Sequence, residues 1–562
     1  MSVPRLDLRL AVPAVGCWLI TWLGISATRS ALVAAILLSI GLLAAAGLAL
    51  CGHGRQDSGH GRRDSGHGRR DSGHGRRRAG AAAIVLATAG LALGTGVALL
   101  VRIDRVDGHP LRQLDGATVT AVVSAVEDPR VGSANPDLVW IRARVHAVDD
   151  RVVAPVSVVV FATLGATSSG GSWLDVRVGQ RVRALMTVRA GDRGLLAARL
   201  TARGPPTRVA AAAGYLRIAE SVRRRFRDAC AEAVGHREAG LLPGLVVGDT
   251  SAGEPTVDDQ FRRAGLTHLL AVSGANFALI VGTVVLLIAL VGGSVRVTTL
   301  GGIAVTVGFA VLVQLSPSVI RAAIMGGIGL MAMALARSRD AMPALSAAVV
   351  AALLVWPELA GDAGFAMSVV ATGALIAWSP ALRDRLVDRG LARGVAEAVA
   401  MATVAYVVTA PLIALISGRI SLTAIVANVA VAPAIPVVTV LGAAAMVLAG
   451  LDIGAATALA RLLVTVCEPG LWWILAVARV LGGSWAAIPA APLWVLLVLA
   501  LACGARAVRR SRHPTEPGDQ YSPTRGLFTL VRVPGRLAAV RRPGLPGGDR
   551  APRPRTDPRG SR

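Results

Sequence analysis

Long apolar stretches alternate with short charged loops along most of the chain, and their lengths predict membrane spans. A helix needs about 20 apolar residues to cross the hydrocarbon core of a bilayer. Three such stretches lie before residue 102 and about nine follow residue 264, so the pattern predicts a polytopic α-helical membrane protein with about 12 spans. The predicted spans are 12–28, 31–50, 80–101, 267–291, 298–315, 317–337, 341–357, 363–380, 397–417, 424–449, 455–481 and 490–508.

Residues 102–209 interrupt this pattern, because apolar and polar positions there alternate with a period of two. Such alternation is typical of half-buried strands. Five short strands separated by Asp, Gly and Pro turns predict a small β-barrel of the OB type. The predicted strands lie at 118–123, 139–145, 156–161, 178–183 and 197–200.

Three polar segments complete the predicted organisation. Residues 51–79 contain Asp-Ser-Gly-His-Gly-Arg-Arg three times, which predicts a disordered basic loop; Gly flanks every His, so no metal site is predicted there. Residues 211–234 predict an amphipathic helix of the kind that lies in a membrane interface. The predicted domains are 1–101 with N-terminal spans, 102–209 with the barrel, 210–263 with this helix and a Gly-rich connector, 264–508 with the main membrane domain, and 509–562 as a disordered basic tail.

Composition excludes a soluble core, because 54% of the 562 residues are hydrophobic and the mean hydropathy is +0.59. The net charge of +25 comes from Arg alone, since the sequence contains no Lys. A phosphate-binding P-loop needs Gly-Lys-Ser/Thr, so any ATPase motor must be a separate partner. The five Cys have no Cys-x-x-Cys spacing, which predicts neither a disulfide framework nor a zinc site.

Arg-rich loops between spans predict the orientation, because such loops favour the cytoplasmic side. If 51–79 is cytoplasmic, the barrel lies outside the cytoplasmic membrane and both termini lie inside. Arg337, Arg339 and the group from Arg383 to Arg393 then also lie inside. One additional or re-entrant segment would invert part of this arrangement, and the segment near Pro433 and Pro436 is a candidate.

The span at 267–291 carries polar residues at its start. On one continuous helix His268, Ser273 and Asn276 would fall within an arc of roughly 140°. Polar groups at membrane depth usually face protein or a water-filled path. Hydrogen bonds between packed helices are the alternative explanation.

Several motifs, which follow one another in the expected order along the chain, resemble those of the ComEC competence proteins, which are inner-membrane channels for transforming DNA. The resemblance covers roughly residues 80–500. It rests on Leu242–Asp249 followed by Gly265–Gly274, on Ser316–Ala322, on Gly361–Ser368, and on a late pattern from Pro411 through Asn428 to Pro433 and Pro436.

The resemblance implies a channel for single-stranded DNA, and the polar and helix-breaking residues become candidates for its path. Arg321 would attract phosphates or, as we slightly favour, pair with Asp362 across helices; Asp249 would fix a turn of the connector. Pro433 and Pro436 would break a helix and free backbone carbonyls. The candidates that line or gate the path are His268, Ser273, Gly274, Asn276, Arg321, Asp362, Asn428, Pro433 and Pro436.

The barrel is the predicted site of DNA capture, because OB-type barrels bind single strands through aromatic side chains in basic grooves. Core packing accounts for the same aromatics equally well. The candidates are Trp140, Phe161, Trp173, Arg142 and Arg144.

Two departures from the family bear on function. Asn276 replaces a second His that is common after the Ser-Gly pair, so a paired-His site is not expected. Many members also carry a metallo-β-lactamase-like domain with a His-x-His-x-Asp-His motif, whereas the one His beyond His268 here is His513. We therefore expect no enzyme activity, no metal and no cofactor, and we expect a separate nuclease.

The expected partners are single-stranded DNA, membrane lipid, a cytoplasmic ATPase motor and a second copy of the chain in a homo-oligomer. A secondary transporter or exporter of a small or lipid-linked solute is the alternative function, because it would use similar broken helices and midplane polar groups. A third reading is an assembly protein that transports nothing and docks partners on its barrel.

Overall fold

The computed structural model describes residues 9–26, 28–56, 71–132, 135, 137–163, 172–191, 194–270, 274–314, 317–334 and 341–489. Within these residues the chain is mostly helical, with a β-barrel inserted after the third helix. The predicted span at 490–508 and the predicted tail at 509–562 lie outside the described residues.

Three helices precede the barrel and pack against one another through Ile20, Leu32 and Leu99. The second and third run further than the apolar stretches predict, because they extend into the repeat region that we expected to be disordered. Residues 57–70 of that region lie outside the described residues. The three helices are α1 (Ala11–Ser26), α2 (Arg29–Gln56) and α3 (Asp71–Asp107).

The inserted domain is a closed barrel, and the prediction of five strands is confirmed. Its strands follow the order β1-β3-β4-β6-β5, and β5 pairs back with β1. The β4–β6 pair is parallel and the other four pairs are antiparallel. The strands are β1 (Thr118–Ala125), β2 (Arg130–Val131), β3 (Leu138–Val148), β4 (Arg151–Thr163), β5 (Arg181–Ala190), β6 (Ala198–Ala202) and β7 (Thr207–Ala210), of which β2 and β7 are short additions.

The alternating pattern fixes which side chains fill the barrel. Val139, Ile141, Ala143 and Val145 of β3 point into the core, and the alternate residues between them point outward. β3 and β4 form a hairpin whose two turn residues, Asp149 and Asp150, have φ values of 45° and 62°. Positive φ at both positions is the mark of the tight turn whose twist matches that of antiparallel strands.

The chain after the barrel forms a helical bundle with a small two-stranded sheet, β8–β9. Its central core contains Phe226, Leu242, Phe261 and Phe277, all of which are fully buried. The elements are α4 (Gly214–Ala233), α5 (His236–Val247), α6 (Pro255–Arg263), α7 (Thr267–Leu270), α8 (Gly274–Leu290), α9 (Val295–Leu312), α10 (Pro317–Ala334), α11 (Ala341–Val355), α12 (Ala363–Asp388), α13 (Arg393–Ser417), β8 (Arg419–Ser421), α14 (Ala424–Val431), α15 (Ala434–Gly450), α16 (Gly454–Leu481) and β9 (Ala487–Pro489).

Six of the described helices are long and apolar enough to cross a membrane, namely α2, α3, α9, α12, α13 and α16. α14 and α15 together form a seventh candidate that is bent by 54°. Helices α1, α8, α10 and α11 are apolar but contribute shorter segments of 10–17 residues. Each predicted span up to residue 481 therefore coincides with a helix or a bent helix pair. The total of about 12 spans stays a prediction.

Helix α4 packs against the rest of the bundle. Its apolar side, which includes Phe226 and Cys230, belongs to the central core of the bundle. Arg223 of the same helix is only 6% exposed. The helix is therefore an integral part of the bundle.

Candidate functional site

Residues 271–273 of the motif at 265–276 lie outside the described residues, so the single polar stripe stays a prediction. His268 lies on the four-residue helix α7, whereas Gly274 and Asn276 lie on α8. Ser273 lies outside the described residues. The imidazole of His268 is in hydrogen-bonding contact with the backbone of Gly265.

Gly265 holds the junction between α6 and α7 against α14. Its φ is +72°, and a β-carbon on it would collide with that of Ala424. The side-chain amide of Asn428 donates to the carbonyl oxygens of Gly265, at 3.4 Å, and of Ala424, at 2.7 Å. The hydroxyl of Ser421 donates to the Arg263 carbonyl at 2.7 Å. Two motifs that are distant in sequence therefore meet at this junction.

Asn276 connects α8 to α5. Its side chain is 3% exposed, and its Nδ2 donates to the carbonyl oxygen of Leu245 at 3.2 Å. This bond supplies the polar partner that a buried amide requires. In the structure Asn276 is thus a contact between helices.

Arg321 lies near the start of α10 and is only 6% exposed. Its Nε donates to the Ser368 hydroxyl at 2.9 Å, and its Nη1 lies 3.3 Å from the sulfur of Met325. Its Nη2 lies against Gly274, where an added β-carbon would collide with it. Among the described residues, no carboxylate lies within ion-pair distance of this guanidinium.

The predicted pairing of Arg321 with Asp362 is therefore wrong. The Asp362 carboxylate instead caps α12, where its Oδ1 accepts a hydrogen bond of 2.7 Å from the Phe365 amide. Asp at this position satisfies one of the free N–H groups of a helix start. The same motif also supplies Phe365, which is fully buried against Trp18 of α1, with ring centroids 5.2 Å apart.

A break in the helix coincides with the predicted proline pair. Pro433 is the N-cap of α15 and Pro436 lies in its first turn. The carbonyl oxygen of Ala430, next to the break, accepts a hydrogen bond of 2.8 Å from Trp473 Nε1 on α16. Protein therefore satisfies a carbonyl there, as irregular backbone at membrane depth requires.

Asp249 follows α5 and forms a charged cluster with two Arg side chains of α4. It is 5% exposed, it lies 3.4 Å from Arg223 Nη2, and it also pairs with Arg227 Nη1. Its Oδ1 accepts hydrogen bonds from the amide and hydroxyl of Ser251. Burial alone would raise the pKa of this carboxyl, but the Ser251 hydrogen bonds and the two Arg charges together lower it below its ordinary value.

The same cluster joins the barrel to the bundle, which sequence reasoning missed. Asp128, in the loop after β1, accepts from Arg223 Nη2 at 3.2 Å and from Gln314 Nε2 at 2.7 Å. Gln314 follows α9 in a left-handed conformation with φ 61°. No sequence signal relates these three residues, because 95 positions separate Asp128 from Arg223 and 186 separate it from Gln314.

An aromatic and basic patch lies on the outer side of β3 and β4. Trp140 and Phe161 are direct cross-strand neighbours and are both half-buried. The guanidinium of Arg130 lies 5.3 Å from the centroid of the Trp140 ring, within cation–π distance. Arg142 and Arg144 follow on the same side of β3 and are exposed. We call these five residues the β3–β4 patch.

Trp173 does not belong to this patch, which corrects its predicted role. It is 6% exposed in the barrel core, and its indole Nε1 donates to the Gly204 carbonyl oxygen at 3.0 Å. A base cannot stack on it while the barrel is folded. Trp173 is a core residue whose polar end is satisfied, as is usual for a buried tryptophan.

The apolar helices and the inserted barrel define the class, which is a multi-pass membrane protein with a small β-barrel domain. Residues 245–513 match the family model described as Competence protein. The resemblance to the ComEC proteins is thereby confirmed. No curated protein and no solved structure matches the chain.

Proposed function

We propose that this protein is a channel that imports single-stranded DNA across the cytoplasmic membrane during natural competence. The family match associates residues 245–513 with competence. The observation that carries the proposal further is the β3–β4 patch. It combines two neighbouring aromatic rings with three Arg side chains on the outside of a barrel that is joined to the bundle.

The strand topology supports a role for the barrel in strand capture. OB-fold barrels bind oligonucleotides on the face formed by their second and third strands. In the barrel order these strands correspond to β3 and β4, which carry the patch. Aromatic rings stack on bases of any sequence, and Arg side chains contact the phosphates. Glu127 pairs with Arg130 and Arg142 at 3.2 and 3.4 Å, but exposed ion pairs are weak enough for phosphate to displace them.

In this proposal the barrel lies outside the membrane and both termini lie in the cytoplasm. The patch captures the strand, and the helical domain passes it inward. The chain lacks Lys and hence a P-loop Lys, so a separate cytoplasmic ATPase supplies the driving force. A separate nuclease removes the complementary strand.

The test measures labelled transforming DNA that reaches a nuclease-protected cytoplasmic pool. Wild type, a deletion strain and a Trp140→Ala/Phe161→Ala variant with verified membrane expression are compared. Deletion should abolish protected uptake while DNA still binds to the cell surface, and the double variant should reduce uptake several-fold. Val152→Ser, at an 89% exposed position outside the patch, serves as the control and should behave as wild type.

Uptake that persists in the deletion strain would refute the channel. Loss of uptake in the deletion strain but normal uptake in the double variant would refute capture by the patch and leave the channel standing. Fluxes of small solutes, measured in the same strains, should be unchanged; a flux that disappears on deletion while DNA uptake persists would favour a solute transporter.

A further inference from the structure

Helix α16 exposes two stripes of different chemistry. It has 28 residues, all of them described, and it is long and apolar enough to cross a membrane. At about 100° per residue, exposed aliphatic side chains lie together on one side of it, namely Leu459, Leu462, Val466 and Val480. Polar and aromatic residues, none of them buried, fall within roughly an 80° arc on another side. We call this second set the α16 polar stripe: Thr457, Arg461, Thr465, Glu468, Trp472 and Arg479.

The stripe is separate from the side through which α16 packs. Val464, Cys467 and Leu471 belong to the central core of the bundle. On the stripe itself, Arg461 pairs with Glu232 of α4. Glu468 forms neither an ion pair nor a hydrogen bond with another described side chain. The described part of the bundle therefore does not supply a partner for this carboxylate.

Glu468 lies at the level of the membrane interior when α16 spans. It is the fifteenth of the 28 residues of the helix. Arg461 and Arg479 are about 27 Å apart along the helix axis, close to the thickness of the hydrocarbon core, about 30 Å. The two cations can then reach the two interfaces, and Glu468 lies between them. An ionisable side chain at that depth is costly in lipid, so it faces a partner or a water-filled path.

Pro469 adds a backbone acceptor at the same level. Proline has no N–H, so position 469 cannot donate the usual helical hydrogen bond to the carbonyl oxygen of Thr465. Thr465 is itself a member of the stripe. A carbonyl freed at membrane depth requires protein or water as its partner. Two adjacent polar groups, one from a side chain and one from the backbone, thus call for the same environment.

The chemistry of the stripe fits a hydrated single strand better than lipid. Arg461 and Arg479 offer positive charge to phosphates near the two ends. Trp472 is 59% exposed, and exposed aromatic rings stack on bases of any sequence. Glu468 keeps the middle hydrated and repels phosphate. A path must bind its cargo weakly enough to release it, and a carboxylate between two cations meets that need.

We infer that the α16 polar stripe lines the water-filled path of the channel and contacts the transported single strand. The inference rests on the function proposed above, and it adds six residues that are not among the candidates of the sequence analysis. The pair of Arg461 and Glu232 is half-exposed on both sides, so phosphate can displace it. The aliphatic side of the same helix faces lipid.

The test measures access of water to the two sides of α16 in the full chain in competent cells. All five Cys are replaced by Ala, and protected uptake by this parent is verified. The probe is 2-sulfonatoethyl methanethiosulfonate, an anionic reagent that does not cross membranes and that reacts with thiolates. Thr465→Cys on the stripe is compared with Val466→Cys, its neighbour on the aliphatic side, which is 54% exposed. If the parent loses uptake, both variants are made in the wild-type chain and labelled residues are identified by peptide mass.

Thr465→Cys should react at least about tenfold faster than Val466→Cys, because a thiol in hydrocarbon keeps its proton and one pKa unit changes the thiolate fraction tenfold. Saturating transforming DNA should slow labelling of Thr465→Cys several-fold and leave Val466→Cys unchanged. Glu468→Leu should lower protected uptake several-fold at verified expression. Glu468→Gln keeps a polar group in the same place and should retain most of the uptake.

Several results would overturn the inference. Equally slow labelling of the two variants would show that lipid or another protein surface, such as a second copy of the chain, covers the stripe. Fast labelling of Thr465→Cys that DNA does not slow would show a wet face without the strand. Normal uptake in Glu468→Leu would show that the path does not need this residue. Each result, beside loss of uptake in the deletion strain, refutes the stripe alone; uptake that persists in the deletion strain refutes the channel.

Discussion

The carboxylate of Asp128 accepts a hydrogen bond of 2.7 Å from the side-chain amide of Gln314. Asp128 belongs to the barrel, and Gln314 follows α9 and precedes the helix that carries Arg321. The bond therefore joins the proposed capture domain to the helices of the proposed path. Arg223 of α4 contacts the same carboxylate at 3.2 Å, so the link involves three segments of the chain.

This link should be measurable as a coupling energy. In a double-mutant cycle of Asp128→Ala and Gln314→Ala, we expect a coupling of about 1 kcal/mol, because the pair is a charge-assisted hydrogen bond in a partly buried setting. The measurement is the free energy of unfolding of the full chain in detergent. The Asp150 and Arg183 pair, 2.9 Å apart with side chains 75% and 45% exposed, is the control and should show coupling near zero. Equal coupling in the two cycles would contradict the assignment.

Asp249 should make stability depend on pH in the acidic range. Its folded pKa is lowered, so its stabilising contribution is present above the unfolded value of about 3.9 and is lost as pH falls through the folded value. Asp249→Asn leaves two Arg without their buried partner, and we expect a loss of about 3 kcal/mol near pH 7. The difference from wild type should shrink as pH falls below about 4. Unfolding of both proteins across pH 3 to 7 measures this.

Asp258 on α6 is the control, because its pKa is shifted in the opposite direction to that of Asp249. Burial raises its pKa, although Arg262 opposes the change. A carboxyl with a raised folded pKa destabilises the folded state as pH rises through that value. Asp258→Asn should therefore leave stability near pH 7 unchanged or slightly higher. The prediction fails if the two Asn variants show the same sign.

Gly265→Ala should disrupt the junction between the two motifs. The substitution places a β-carbon at φ +72° and against Ala424. Strain in the left-handed region alone is about 1–2 kcal/mol, and the collision adds to it. Thermal unfolding should show a loss of at least about 2 kcal/mol. Gly282→Ala, at a helical position of α8 with open space around it, should instead be neutral or stabilising by up to about 1 kcal/mol.

Two tryptophans of one barrel should respond differently to substitution. Trp140→Ala should weaken binding of single-stranded oligonucleotide by about 1–3 kcal/mol, the usual value for one base stacked on an aromatic ring. Trp173→Phe removes the indole donor to Gly204 within the core and should lower stability. Its affinity for the oligonucleotide, corrected for the folded fraction, should be unchanged. Loss of affinity only in Trp173→Phe would exclude the β3–β4 patch as the binding surface.

His146 should make strand binding by the barrel stronger at acidic pH. Burial, together with the charges of Arg181 and Arg144, lowers the pKa of this imidazole. In the free protein it is therefore neutral near pH 7, and its Nε2 lies 2.8 Å from the Ser124 hydroxyl. A bound phosphate would offset the Arg charges and favour protonation. Affinity for oligonucleotide should rise several-fold from pH 7 to pH 5.5, and His146→Gln should reduce that rise. An identical pH profile in the variant would contradict this role.

The sequence by itself determined the class of protein and the kind of element at each place. The length of an apolar run fixes whether a helix is long enough to span, and alternation with period two fixes which side of a strand is buried. The helices up to residue 481 and the barrel strands follow from these local rules. The order of the motifs also identified the competence family, which the match at 245–513 confirms.

Tertiary structure alone decided which polar side chains meet. Asp362 caps its own helix and leaves Arg321 without a carboxylate in the described structure. Trp173 lies inside the barrel while Trp140 lies outside, and Asp128 reaches Gln314 across 186 positions. Local patterns cannot specify such pairs, because the partner of a polar group depends on how distant elements pack and on which hydrogen bonds that packing leaves available.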